Sequence, residues 1–229
     1  MRWLVLCSAL LLAGCPAQGP ADDTFNFRFR WLSYVQGNDI QEQCTPGSPA
    51  RIRLIYNAIF TEETRTFDLT AVDQGATQMT TRLWRGTDTI TLRSGSFLGA
   101  VDPAGEGDAY IDPEGTRAIV AALDASGFYG PPPNGLMLRS DDYFWVGSAC
   151  IDGVFMVQAY PKDQFDRIAF AQLLASFDPI QRPLPVPRAL DLPPLNSLGT
   201  GNPQQDRDEP SALFYRIDVT DNLLVANWI

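Results

Sequence analysis

Residues Asp142–Phe177 read DYFWVGSACIDGVFMVQAYPKDQFDRIAFAQLLASF, two apolar runs split by Asp152-Gly153 and followed by a helical pattern. Asp-Gly between hydrophobic runs marks a tight hairpin, because both turn positions need positive φ and these residues accept it at low cost. A two-residue turn pairs Ile151 with Val154, Cys150 with Phe155, Ala149 with Met156 and Trp145 with Tyr160. One face of the ribbon then carries Phe144, Val146, Cys150, Phe155 and Val157; the other carries Trp145, Ala149, Ile151, Val154 and Met156. A ribbon apolar on both faces has to be covered on both, which places it in the middle of a domain. Beyond it a helix is expected from Pro161 or Asp163. Phe165, Ile168, Ala169, Leu173 and Phe177 form its inward stripe, and Asp163 and Arg167 pair one turn apart.

Upstream the chain is rich in strand patterns. Thr24–Leu32 alternates Phe25, Phe27, Phe29 and Trp31 with Asn26, Arg28 and Arg30, which predicts a strand with one buried face. Residues 37–49, holding Cys44 and two prolines, read as a loop. Arg51–Phe60, Thr64–Val72, Thr77–Trp84 and Thr89–Arg93 continue as an antiparallel meander with one wet face. Asp112–Ser126 is the first helix: Asp112 caps it, Pro113 suits its first position, Ile119, Ala122, Leu123 and Ser126 face inward, and Gly127 ends it. Downstream, residues 178–210 form a proline-rich arm containing PLPVPR and LPPL. Residues 211–229 recover strand alternation, with Asp221-Asn222 as a turn, and return to the core. The whole is an α+β domain: an antiparallel sheet of about six or more strands packed against two helices, with its core in residues 24–177 and an extended arm.

Composition narrows the chemistry. The 229-residue chain carries a net charge of −10, which repels phosphate backbones and disfavours nucleic acid as a partner. It contains no histidine, which removes Ser-His-Asp and Cys-His nucleophiles, histidine bases and histidine-ligated metals. Carboxylate pairs, Ser-Lys arrangements and oxygen-ligated cations survive. Asp141 and Asp142 are adjacent, so on a strand they point to opposite faces. Ser148 and Lys162 lack the Ser-x-x-Lys spacing. The acidic run Asp102–Glu114 places Pro113 where a calcium loop needs glutamate, and reads as a loop leading to a helix cap. No catalytic residue, metal ligand or cofactor is assigned.

The amino terminus, MRWLVLCSALLLAGC, has one positive charge before a short apolar run and closes on Leu12-Ala13-Gly14-Cys15. This resembles the lipobox of bacterial lipoproteins, a resemblance confined to residues 1–15. It implies that residues 1–14 are a signal peptide and that Cys15 is lipidated and anchors the protein to a membrane. Residues 15–23 then form a short tether, and the location is the bacterial cell envelope, periplasm-facing or at the surface. An exported chain with two remaining cysteines most simply joins Cys44 to Cys150, with two buried thiols as the alternative.

Three functions stay open on these grounds. The first is a non-catalytic lipoprotein acting through a protein partner, with contacts at Leu184, Val186 and Leu192 of the arm. The second is a small-molecule or glycan binder using Trp84, Tyr110 or Tyr143. The third is a carboxylate hydrolase. Two inward carboxylates would favour the hydrolase, an apolar pocket the binder, and a flat apolar patch beside an ordered arm the partner.

Overall fold

The structure, a computed structural model, describes residues 31–85, 103–192 and 214–228. The elements in chain order are α1 (residues 31–36), α2 (Asn38–Glu42), β1 (Arg51–Ala58), β2 (Glu63–Ala71), β3 (Thr77–Arg85), β4 (Gly105–Ile111) and α3 (Pro113–Ala125). There follow β5 (Met137–Arg139), β6 (Tyr143–Ile151), β7 (Val154–Pro161), α4 (Phe170–Phe177), β8 (Tyr215–Thr220) and β9 (Leu223–Trp228). The strands form a six-stranded antiparallel sheet in the order β4-β3-β2-β1-β6-β7 and a smaller sheet in the order β5-β8-β9. The fold is α+β.

The central hairpin has the register its turn dictates, from Ile151 opposite Val154 to Trp145 opposite Tyr160. Asp152 and Gly153 take φ of 52° and 76°, as a tight hairpin turn of this kind requires. Asp221 and Asn222 turn β8 into β9 in the same way, at φ of 47° and 61°. One face of the large sheet, with Ile55, Phe144, Val146 and Val157, is covered by α1 and the small sheet through Trp31, Val35, Tyr215 and Ile217. The other, with Leu54, Phe67, Met79 and Trp145, is covered by Ile119 and Leu123 of α3 and by Phe170 and Leu174 of α4. Three layers result, with the large sheet in the middle. Gly147 sits in mid-strand because the Phe128 ring lies on it; a Cβ there would come within 2.4 Å of Phe128 Cε2.

Cys44 and Cys150 are bonded, with Cα atoms 5.5 Å apart, and tie the loop after α2 to the end of β6. The hairpin lies at one side of the large sheet, with β7 as an edge strand, and its outer rim is capped by side-chain amides. Val157 N–H donates to Asn222 Oδ1 at 3.2 Å, Asn222 Nδ2 donates to the Phe155 carbonyl at 2.8 Å, and Ala159 N–H donates to Gln158 Oε1 at 3.1 Å. Covering ladder groups in this way keeps an edge from recruiting another strand.

Several expectations are corrected. Trp31 and Leu32 belong to a helix and not to a strand, while residues 24–30 lie outside the described residues. Trp31 is buried against Phe60 and Trp84, with ring centroids 5.5 and 5.7 Å away. The loop at residues 37–49 contains α2. The acidic stretch after Asp102 contains β4, whose Glu106 and Asp108 pair across the ladder with Arg82 at 2.8 Å and Thr80 at 2.6 Å. The second helix starts at Phe170 and not at Pro161 or Asp163, because Lys162–Arg167 winds as a 3₁₀ turn; Phe170 and Leu174 are its buried residues. Val154, at the hairpin tip, is 59% exposed. The expected strand Thr89–Arg93 lies outside the described residues.

Candidate functional site

A cavity of about 560 Å³ opens where α3 crosses one end of the large sheet. Its geometry starts at the helix cap. The Asp112 carboxylate accepts from Gly115 N–H at 2.8 Å, and Thr116 Oγ1 donates to Thr77 Oγ1 at 3.1 Å, so the first turn of α3 is fixed to β3. Ile119 and Leu123 bury the helix further along. Beside that contact, however, Ala50, just before β1, and Ala71 at the end of β2 carry short side chains, and the space under the helix stays open. Ile52, Leu69, Ile151 and Met156 complete an apolar floor, and Val120, 45% exposed, stands at the rim with Val154.

Tyr129 forms one wall. It follows Phe128, whose insertion over Gly147 fixes the chain after Gly127, and the two rings meet edge to face at 5.5 Å. The Tyr129 hydroxyl is buried without a hydrogen-bond partner, and burial, followed by the nearby Asp124 charge, pushes its pKa up. Asp152 is the one charged residue among the described residues lining the cavity. The site can hold an apolar body; it offers no pair of carboxylates for hydrolysis.

The arm makes a second feature. Residues 179–192 have no regular secondary structure but are pinned to the domain. Arg65 donates to Asp178 at 2.8 Å and to the Arg182 carbonyl at 2.5 Å, Tyr56 donates to the Pro185 carbonyl at 2.5 Å, and Arg188 pairs with Glu62 and donates to Tyr143 Oη at 2.8 Å. Pro183–Pro187 roofs a shallow groove over Tyr56, Trp145 and Phe165.

Trp84 and Tyr143, two of the three aromatics expected at a binding surface, are 3% and 2% exposed, so neither serves as an exposed stacking platform, whereas Tyr110 is 66% exposed. Asp141 is held by Arg139, and Asp142 accepts from Tyr143 N–H at 2.8 Å and from Lys162 at 3.2 Å. Ser148 lies in mid-β6 opposite Val157, while Lys162 follows the far end of β7, so the strands hold them apart. Among the described residues no cluster of three or more acidic or cysteine side chains is placed to hold a metal. Leu184 packs against the core, Leu192 is half-buried and Val186 is 82% exposed. Cys15 lies outside the described residues. The cavity residues escaped sequence reading because alanines at strand ends carry no signal; Val120, an apolar residue off the inward stripe of α3, is the one that could have been noticed.

Comparison with known proteins gives no matching family model, no matching curated protein and no matching solved structure.

Proposed function

We propose that the protein is an exported, lipid-anchored binding protein that takes a small apolar molecule into the cavity beneath α3. The single observation that supports this reading is an apolar cavity of about 560 Å³ open to solvent, within the roughly 300–1,000 Å³ range of small-molecule sites. The alternation that builds the sheet would bury such a face against the helix; leaving it hollow costs packing contacts that a ligand restores. Anchoring through Cys15 would leave residues 16–23 as a tether of at most about 28 Å when fully extended, which supports a ligand met near a membrane surface.

The test is titration of the mature protein with 1-N-phenylnaphthylamine, a neutral dye that brightens in apolar surroundings. Saturable binding is expected, and Val120→Trp should weaken it at least tenfold by filling the cavity from an exposed helix position. Absence of saturable binding in the parent would refute the reading.

A second reading, contact with a protein partner through the arm, draws on Val186, which stands 82% exposed on a segment pinned on both sides. Val186→Ser at unchanged stability should abolish crosslinking to that partner in native envelopes.

A further inference from the structure

Resting on the cavity reading, we infer that the ligand is an apolar molecule whose polar end carries no negative charge, and that Asp152 at the mouth sets this preference. Among its described lining residues the cavity has no lysine, arginine or histidine with which to neutralise an anionic head, and the one charge is the Asp152 carboxylate. An anion entering would be desolvated against apolar walls beside a like charge, and both effects oppose it. A neutral head escapes both penalties, and a cationic head gains from the carboxylate. The chain's net charge of −10 acts in the same direction at longer range.

The backbone that carries this carboxylate is fixed. Asp152 is the first turn residue of the β6–β7 hairpin, at φ 52°, between Ile151 and Val154, both of which also line the cavity. Its neighbour Gly153 lies against the backbone of Thr45 and Pro46, where a Cβ would come within 2.6 Å of Pro46 N. The loop that carries Pro46 is in turn tethered by the Cys44–Cys150 bond. The charge is therefore carried on a restrained hairpin turn at the rim.

The experiment uses three probes of one chain length below their micelle concentrations: 1-decanol, decanoate and decyltrimethylammonium. Each is read by displacement of 1-N-phenylnaphthylamine at pH 7.5 and low ionic strength. Decyltrimethylammonium should bind best, decanol next and decanoate weakest, with decanoate about 3–10-fold weaker than decanol, the size of one charge interaction at a wet rim. Asp152→Asn keeps a residue that accepts positive φ, so the hairpin survives, and it should shrink the decanoate-to-decanol ratio toward one. Asp163→Asn, an exposed acid at the opposite end of β7, changes net charge equally and should leave that ratio unaltered. Decanoate binding as tightly as decanol, or equal effects of the two variants, overturns the inference while the cavity reading stands. Failure of dye and probes alike to bind overturns both.

Discussion

Arg65 and Asp178 share a hydrogen bond of 2.8 Å with side chains 0% and 1% exposed, an ion pair that joins the middle layer to the first residue of the arm. Glu63 accepts from the same guanidinium at 2.8 Å, and also lies 3.3 Å from Arg182. Removing the cation would take the shared partner from two buried carboxylates. Arg65→Met is expected to lower stability by about 3–5 kcal/mol in urea unfolding. Adding Glu63→Gln and Asp178→Asn should recover much of the loss. If the triple variant is no more stable than the single one, the arginine acts through packing alone.

Stability should fall steeply in alkali. Tyr34, Tyr56, Tyr129, Tyr160 and Tyr215 all have pKa values raised above the ordinary value, with burial the leading cause in each. The unfolded chain ionises these phenols near pH 10 while the folded one does not. Their contribution is therefore intact below about pH 10 and is lost as pH climbs from there toward the folded pKa values, at roughly 1.4 kcal/mol per pH unit for each tyrosine involved. Absorbance at 295 nm should show most of the phenols titrating together with loss of near-ultraviolet circular dichroism. Smooth titration of all seven near pH 10 with the fold intact would contradict this.

Reduction of the disulfide should be costly. The bond closes a separation of 106 residues, worth up to about 4–5 kcal/mol through restriction of the unfolded chain. Urea midpoints with and without reductant measure it. Thiol titration of the unreduced, unfolded protein should find Cys44 and Cys150 both unavailable, and a Cys44→Ala, Cys150→Ala chain as stable as the parent would show that the bond adds nothing.

The proposed anchor has its own test. Cys15→Ser should release the protein from membranes or block its processing, read by fractionation after a high-salt wash. A variant that stays with membranes like the parent would rule out lipidation at that cysteine.

What the sequence displayed best were features decided by a few local residues. Asp152-Gly153 and Asp221-Asn222 each set the register of a hairpin, and Asp112-Pro113 placed the start of α3. Strand β4 was hidden in part because Gly107 is small for the sake of the arm: a Cβ there would lie 2.8 Å from Pro179. That contact comes from residues far along the chain, and no local pattern encodes it. Trp84 and Tyr143 looked like exposed aromatics because alternation does not say which faces a second layer will cover. The cavity was least legible of all, since it lies where the short side chains of Ala50 and Ala71 sit under a helix whose crossing is set elsewhere.

The place of β1 between β2 and β6 has a consequence for how the chain is made. As the polypeptide emerges, β1, β2 and β3 can close a meander by themselves. The far side of β1 stays open until residues 143–151 arrive, with Ile52, Leu54 and Tyr56 uncovered beside it and Cys44 lacking its partner. During that interval the nascent sheet displays a long unpaired ladder, the surface most prone to capture a neighbouring chain. The order of synthesis therefore leaves this apolar seam open across more than eighty residues of further synthesis, roughly the span from β1 to β6, and sets how long the chain needs to be kept apart from its own copies.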